Sequence, residues 1–434
     1  MRRNIIYRTA VLLTVIGISS VTSDARSPIR KAKEGEVLPH WRKGYLDIHT
    51  INTGRGESTF YIFPDGTSML VDAGGAIITK KVASLPTPPK PDASITAGQV
   101  VADYLRHFLP RTKDTRPDSS GRGKHLDYMI ISHFHADHMG SAVPGQKRNE
   151  EGGFALTGIP EVGNEFLPYK IIVRADPEEY PSSNMSLEPH RENIAAFISW
   201  GEKKGMVKEA MIPGSDSQIT LRKKPSSYPG FRVRNIAANG YVWTGTGLEA
   251  KTEIPSVEEL KASGDKDAYP NENILSCMFT LTYGKFDYFA GGDNQYKSTE
   301  AHPYLDIESP VSKVVPEVDV MKGGHHLTSG ANGKELLEAL RPFVVVGSPW
   351  RDVQPNPETL GRVYDASPDA KVFLTNLAKV NIPRIRQFLD RICSTNGHIV
   401  VRVCPGGDKY WVYVLEDGDQ SYKVNKIFGP FRSR

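Results

Sequence analysis

Three imidazoles and one carboxylate lie within six residues of this sequence, directly after a short apolar run. The run 129–131 is typical of a buried strand, and His133, His135, Asp137 and His138 follow it. Borderline divalent metals such as zinc bind this mixture of nitrogen and oxygen ligands. On an extended backbone His133 and His135 point the same way, because side chains alternate with period two. Asp137 and His138 lie past the bend and can reach a second position, so the spacing suits two metals side by side.

Chance is a poor explanation for this group, since only 12 of the 434 residues are histidines. Two more candidate groups follow predicted strands later in the chain. The strand predicted at 286–290 is followed by two glycines and Asp293, a carboxylate well placed to bridge two metals. The strand predicted at 318–322 ends in Lys322 and precedes His325 and His326, either of which can bind a metal.

The motif at 133–138 resembles the HxHxDH signature of the metallo-β-lactamase fold hydrolases. The resemblance implies an α/β fold, the metallo-β-lactamase αββα four-layer sandwich, with two mixed β-sheets packed face to face and helices outside. It also implies two divalent metal ions, zinc or manganese. It spans about residues 45–415, interrupted by a middle region.

The N-terminal part is similar to a narrower group, the hydrolase domain of the competence protein ComEC and its soluble relatives. The resemblance lies in a strand, the turn Gly54-Arg55-Gly56-Glu57, a Pro64-Asp65-Gly66 hairpin and a strand ending in Asp72-Ala73-Gly74-Gly75. That group usually has GQGD in the glycine turn, so Arg55 and Glu57 are departures. We expect Asp72 to support the metal-binding loop from behind.

Carried over residue by residue, the resemblance gives a metal-ligand set and a catalytic set. The expected metal ligands are His133, His135, Asp137, His138, Asp293 and His326. The expected catalytic residues are Asp137, His325 and Lys322. Asp137 would bind one metal and orient the attacking hydroxide, while His325 and Lys322 would touch substrate, as would Thr328. The family form HHGS reads His325-His326-Leu327-Thr328 here; we favour His326 as the ligand, but the choice between the two histidines stays open.

One histidine of the full superfamily pattern is missing, because Asn271-Glu272-Asn273 stands in its place. The ComEC-like group also tends to lack this histidine. A first site made of His133, His135 and Asp293 with an amide oxygen and water has fewer nitrogen ligands. Such a site would tolerate manganese more readily than a full histidine set.

The remaining pattern predicts the elements that position these groups. Helical faces are predicted at 96–109, 192–200 and 333–340, strands at 171–173, 218–221, 231–236, 274–281 and 343–346, and a hairpin near the end at 397–415. Residues 244–268 are expected to form a loop. We predict one hydrolase domain at 44–430, with an insertion-like region at about 141–270 of unassigned role.

Residues 1–25 have a basic start, an apolar core and small residues before Ala25, the pattern of a signal peptide. We therefore expect a secreted or periplasmic protein, with a basic linker at 26–43 and no transmembrane segment in the mature chain. Export would permit a disulfide between Cys393 and Cys404, whereas Cys277 lies in an apolar run and is expected to be buried.

We expect a metal-dependent hydrolase in which hydroxide held by two metals attacks the substrate. The ComEC-like resemblance implies a phosphodiesterase or nuclease acting on a small-molecule or nucleic-acid phosphodiester. Without residues 1–25 the chain has 51 basic and 49 acidic residues, which leaves the hydrolysis of a lactone, thioester or β-lactam-type amide open as an alternative. An inactive binding or scaffold protein is a second alternative. The sequence does not indicate the oligomeric state.

Overall fold

The apolar runs of the sequence form two large mixed sheets in the computed structural model, which describes residues 32–78, 85–110, 125–175, 182 and 188–434. The strands are β1 (Leu46–Thr50), β2 (Thr59–Ile62), β3 (Ser68–Val71), β4 (Leu126–Ile131), β5 (Pro168–Val173), β6 (Val207–Ala210), β7 (Phe231–Ala238), β8 (Tyr241–Trp243), β9 (Ala250–Lys251), β10 (Met278–Tyr283), β11 (Phe286–Ala290), β12 (Val320–Lys322), β13 (Val344–Gly347), β14 (Lys371–Leu374), β15 (Ile392–Ser394), β16 (His398–Val403), β17 (Lys409–Leu415) and β18 (Val424–Arg432). The helices are α1 (Ala97–Phe108), α2 (Ala136–Met139), α3 (Gly158–Glu165), α4 (Glu188–Lys203), α5 (Val257–Ser263), α6 (Glu308–Ser312), α7 (Lys334–Leu340) and α8 (Pro357–Ala366). Short 3-10 segments occur at Glu272–Leu275 and Gly324–Leu327, among others.

Each sheet has nine described strands. The first has the order β18-β17-β16-β1-β2-β3-β4-β5-β6, and the second has the order β15-β14-β13-β12-β11-β10-β7-β8-β9. Strands β3 to β6 run parallel in the first sheet, and β11 to β15 run parallel in the second. Parallel strands must be covered on both faces, which explains why β4 is mostly apolar and buried and why all three residues of β12 are buried.

Three apolar clusters show the layers. Ile48 and Val401 of the first sheet pack with Phe279 of the second, so the sheets face each other. On the outer faces, Leu105 of α1 packs on the first sheet, and Leu337 of α7 packs on the second. The predicted metallo-β-lactamase sandwich, with two mixed sheets between helices, is confirmed.

Helix α1 shows how local sequence sets an element boundary. Thr96 precedes the helix, and its hydroxyl accepts a hydrogen bond from the Gln99 backbone N–H at 3.0 Å. Val101, Leu105 and Phe108 recur at helical spacing and are buried. The helix predicted at 96–109 is confirmed, and it packs against the strands that lead to the histidine motif.

The middle region differs most from prediction. The strand predicted at 218–221 is irregular, and the strand predicted to begin at 274 begins at Met278, after a 3-10 turn. The predicted loop 244–268 contains α5, which begins at a capping box of Ser256 and Glu259 that we overlooked. Strands from this region form the β5–β6 edge of the first sheet and the β7–β8–β9 edge of the second.

Residues Ala32–Arg434 form one unit, and the predicted signal peptide lies outside the described residues. The described end of the predicted linker packs on this unit, since Leu38 is buried and Val37 bridges Lys423. No helix in the described ranges is long and apolar enough to cross a membrane.

All three cysteines are free, so the disulfide considered for Cys393 and Cys404 is not formed. The reason is their position: Cys393 lies in β15 of the second sheet, and Cys404 follows β16 of the first. Cys277 is buried as expected.

A buried ion pair joins neighbouring strands of the first sheet. Arg402 in β16 stands opposite Asp47 in β1 and donates to both of its carboxylate oxygens, at 2.8 and 2.6 Å. His49 is also buried, and its Nε2 lies 3.5 Å from Asp47 Oδ2. Burial of these groups makes each depend on its partners.

We expect Asp47→Ala to lower the free energy of unfolding by about 3–5 kcal/mol, because it leaves the Arg402 guanidinium buried without its carboxylate. Chemical denaturation measures this change. Glu249→Ala is the control: it breaks an exposed pair with Lys251, at 3.7 Å, and should change stability by less than about 1 kcal/mol. Equal effects of the two substitutions would contradict the assigned role of the buried pair.

Candidate metal centre

The candidate centre lies at the carboxyl ends of parallel strands from both sheets. The histidine motif follows β4 of the first sheet, whereas Asp293 follows β11 and the two adjacent histidines follow β12 of the second. Loops at this edge of parallel strands are the usual place for a functional site in α/β folds. The sandwich therefore brings two distant parts of the sequence together.

Asp72, which follows β3, holds the histidine loop as expected. Its Oδ1 accepts from the Ser132 backbone N–H at 2.8 Å, and its Oδ2 accepts from the Ser132 hydroxyl at 2.7 Å. Oδ2 is also 2.8 Å from Nδ1 of His138. A carboxylate can only accept, so the His138 proton lies on Nδ1 and its Nε2 is directed towards the candidate centre.

Two glycines allow the strand loops to meet at Asp137. The Glu57 backbone N–H donates to the Asp137 carbonyl at 2.8 Å. A Cβ at Gly74 would lie 1.5 Å from that carbonyl oxygen, and one at Gly56, where φ is +148°, would lie 2.4 Å from it. No larger residue fits either position without moving the backbone, which accounts for the glycine turn and for the DAGG sequence.

Asp293 is the point at which the ligand candidates converge. Its Oδ2 lies 3.1 Å from His138 Nε2, 3.3 Å from His326 Nε2 and 4.0 Å from His133 Nε2. His133 Nε2 is in turn 3.1 Å from His135 Nδ1. The carboxylate thus approaches His133, the neighbour of His135, and also His138 and His326, as a bridging ligand requires.

Asp137 lies beside His326. Its Oδ2 is 3.2 Å from Nε2 of His326 and accepts from the indole N–H of Trp350 at 3.1 Å. The His326 Nδ1 is 3.0 Å from the carbonyl of Ser348, so the ring donates there and its Nε2 faces the carboxylates. His325 Nε2 lies 3.7 Å from Asp293 Oδ2, further than His326 Nε2, and its side chain is 22 % exposed.

Lys322 is held by buried contacts next to the candidate centre. Its ammonium is buried, pairs with Glu57 Oε2 at 2.7 Å and donates to the carbonyl of Gly292 at 2.8 Å. It is 3.9 Å from Oδ1 of Asp293. The described contacts of Lys322 are those of a group that positions the loops beneath the centre, and its predicted catalytic role stays a prediction.

Sequence reasoning missed Glu57 and Trp350. Glu57, His138, Asp293 and His326 offer ligand atoms within 4.8 Å of one another. Glu57, however, approaches the Nδ1 side of His326, at 3.8 Å, and is paired with Lys322, so we assign it to positioning. The presence of an acidic residue in the glycine turn could have indicated Glu57, whereas no sequence pattern pointed to Trp350.

The triplet that replaces the missing histidine has divided roles. Glu272 is buried, pairs with Arg174 at 2.7 Å and accepts from the backbone N–H of Phe134 at 3.0 Å, which fixes the histidine loop. Asn271 caps the following 3-10 turn. Asn273 is buried, and its Oδ1 has no hydrogen-bond partner among the described residues. Asn273 is thus the member of the triplet available to the centre.

The electrostatics of the cluster suit a cation. Burial favours the neutral imidazole of His326, but Asp293 and Asp137 outweigh it and raise its pKa to about 9. Burial likewise favours a neutral Asp293, yet His138 and His326 hold its pKa well below its usual range. Asp293 Oδ1 is buried with no hydrogen-bond partner within the described ranges. This nitrogen and oxygen donor set fits divalent metal ions.

We expect metal affinity to rise with pH up to about pH 9, because a metal must displace the proton that the raised pKa of His326 retains. The expected slope is roughly tenfold per pH unit for each proton displaced. Competition of metal-free protein with a coloured chelator measures it. His326→Asn should give a shallower slope, because it removes the imidazole that retains the proton. Asn is chosen because it tolerates the left-handed backbone (φ 53°) at this position. A wild-type affinity independent of pH would contradict the assignment.

We expect Lys322→Met to lower the free energy of unfolding by about 3–5 kcal/mol, because Glu57 would remain buried without a counter-charge. The double variant Lys322→Met/Glu57→Leu should recover much of this loss. Denaturation of both variants gives the comparison. An unchanged stability together with a raised KM for a cleaved substrate would instead support Lys322 as a substrate contact.

Comparison with known proteins agrees with this geometry. Residues 52–175, which include the glycine turn, Asp72 and the histidine motif, match the model of the Metallo-beta-lactamase superfamily. No curated protein matches the chain.

Two solved structures are distant neighbours. A protein described as a metal-dependent hydrolase from Parabacteroides distasonis ATCC 8503 is 13% identical, with a TM-score of 0.32, over 77% of this chain and 94% of its own. Igni18, a metallo hydrolase from the hyperthermophilic archaeon Ignicoccus hospitalis KIN4/I, is 13% identical, with a TM-score of 0.34, over 82% of this chain and 98% of its own. The family match covers residues 52–175, and the two mixed sheets with their helices are consistent with the fold of that superfamily.

Proposed function

We propose that this protein is a metal-dependent phosphodiesterase or nuclease. The observation that carries the proposal is the convergence of two imidazole groups on Asp293, whose Oδ2 lies within 4.0 Å of His133, His138 and His326. One group would hold a metal through His133, His135 and Asp293. The other would hold a metal through Asp137, His138, His326 and Asp293.

The substrate class rests on chemistry and on the ComEC-like resemblance. Paired metals suit a phosphodiester, whose attacking and leaving oxygens both need charge stabilisation during displacement. The features shared with the ComEC-like group lie against the centre. The glycine turn contacts the backbone of Asp137, although the Glu57 side chain, which pairs with Lys322, is a departure from that group.

When bound, metals at these residues would lower the pKa of a water molecule and neutralise charge on substrate oxygens. The protein's own part is orientation. Asp72 fixes the ring of His138, Ser348 fixes that of His326, and the indole N–H of Trp350 restrains the Asp137 carboxylate. These contacts hold the donor atoms before any substrate arrives, which keeps the cost of reorganisation low.

For the metals, we propose zinc or manganese, with manganese favoured at the first site. His133 and His135 are its nitrogen donors, and the buried amide of Asn273 is the available group where a third histidine is missing. Oxygen donors in place of imidazole shift preference towards manganese. The signal-peptide pattern of residues 1–25 supports action in the periplasm or outside the cell.

We expect the mature protein to hydrolyse bis(p-nitrophenyl) phosphate when manganese or zinc is supplied. The variant His135→Ala/Asp137→Ala should lose at least about 10³-fold in kcat/KM, because it removes one donor from each metal group. Absorbance of released p-nitrophenolate measures both rates. His302→Ala is the matched control, since His302 pairs with Asp265 away from the proposed ligands and should leave the rate unchanged.

The alternatives make distinct predictions in parallel assays. Turnover of nitrocefin or a lactone without phosphodiester turnover would move the assignment to carbonyl substrates. Metal binding without turnover of any of these would favour an inactive binding protein. Loss of activity in His302→Ala as well would show that the double variant reports folding rather than the centre.

A further inference from the structure

His325 lies on an unusual stretch of backbone. Three consecutive residues, His325, His326 and Leu327, have φ values of 45°, 53° and 61°, a left-handed region that side chains seldom occupy. Strain of this kind persists only where the surroundings fix it. The two adjacent imidazoles therefore point in different directions: His326 is buried among the carboxylates, and His325 is partly exposed at the edge of the centre.

A chain of hydrogen bonds fixes which nitrogen of His325 carries the proton. The backbone N–H of Ile274 donates to Asn271 Oδ1 at 3.2 Å, so the Asn271 amide N–H₂ faces the other way. That N–H₂ donates to Gln295 Oε1 at 2.9 Å. The Gln295 N–H₂ must then donate to Nδ1 of His325, at 2.8 Å. Since Nδ1 accepts, the proton of the neutral ring lies on Nε2.

The reverse arrangement fails at the backbone. A proton on Nδ1 would need Gln295 to turn its oxygen to the ring, which would set its N–H₂ against the N–H₂ of Asn271. Turning Asn271 as well would set an N–H₂ against the Ile274 backbone N–H, which cannot change its role. The backbone N–H of Ile274 thus fixes the orientation of Asn271 and of Gln295, and through them the tautomer of His325.

The protonated Nε2 faces the centre without a strong partner. It lies 3.7 Å from Asp293 Oδ2, too far for a good hydrogen bond, and 3.5 Å from Asn273 Nδ2, an N–H₂ group that cannot accept its proton. Bearing a proton, Nε2 cannot bind a metal. It can donate to an oxygen that enters the space beside Asp293.

We propose that Asn271 and Gln295 are positioning residues that hold His325 as its Nε2–H tautomer, and that this N–H donates to the substrate oxygen that gains negative charge. Only the second part of this proposal, the donation to a substrate oxygen, rests on the proposed hydrolytic function. A donor that is held in place before the reaction stabilises developing charge, and loss of one such donor lowers kcat by roughly 10²–10³-fold.

The tautomer is measured without substrate or metal. Metal-free protein labelled with ¹⁵N in histidine shows, near neutral pH, separate signals for protonated and unprotonated ring nitrogens, and His325→Gln identifies the pair that disappears. We expect Nε2 to carry the proton and Nδ1 to lack it. The opposite pattern at His325 would overturn the proposal.

Two variants test the relay. Asn271→Asp keeps the cap on Ile274, because aspartate caps as well as asparagine, but removes the N–H₂ that orients Gln295. The aspartate can only accept, so Gln295 should turn its N–H₂ to residue 271 and its oxygen to His325, and the proton should move to Nδ1. Gln295→Glu presents only acceptors, so the proton should move to Nδ1, and Gln295→Met is the uncharged control that should give a mixture. Unchanged His325 signals in both Asn271→Asp and Gln295→Glu would show that the relay does not position the ring.

Activity assays then test whether His325 donates to substrate, separately from the test of its tautomer. With bis(p-nitrophenyl) phosphate, Gln295→Glu should lose about 10²-fold in kcat, with a smaller loss in Gln295→Met and little change in KM. If the tautomer responds as expected but the rate of a working enzyme does not, His325 is not the donor. If the wild type cleaves no phosphodiester, the proposed function fails while the tautomer measurement still decides the relay.

Discussion

The buried carboxylate of Asp293 is the constraint on which the candidate centre depends. Its side chain is about 1 % exposed, and an isolated charge at that depth costs several kcal/mol unless opposite charge surrounds it. His138 from the first sheet and His326 from the second supply that surrounding at 3.1 and 3.3 Å. Asp72, Ser348 and the Glu57–Lys322 pair can be understood as the contacts that keep those two rings in place.

Much of this arrangement could be predicted because the informative signals are local. Strand β4 is a continuous apolar run, α1 has a threonine cap and a helical apolar face, and the histidine motif is compact in sequence. The four-layer sandwich follows from the family resemblance that this motif carries. Asp72 was expected to support the histidine loop, and its bonds to Ser132 and His138 have that form.

What escaped prediction depends on contacts between distant segments. Trp350 reaches Asp137 across more than two hundred residues, and nothing in its local sequence marks it. Lys322 ends an apolar strand three residues before two histidines, which favours a substrate contact, but its ammonium is buried and pairs with Glu57, more than 250 residues away in the sequence. Cys393 and Cys404 are close in sequence but belong to different sheets, a separation that only the sheet order reveals.

The distribution of the ligand loops has a consequence for assembly. Residues 133–138 extend from the first sheet, and Asp293 and His326 extend from the second, so neither sheet alone contains the donor set. An ion held there would act as a cross-link between the two halves of the sandwich, binding the native state in preference to the unfolded chain. Metal binding and the stability of the two-sheet sandwich are then thermodynamically linked. A shortage of metal would therefore lower the free energy of unfolding as well as the activity.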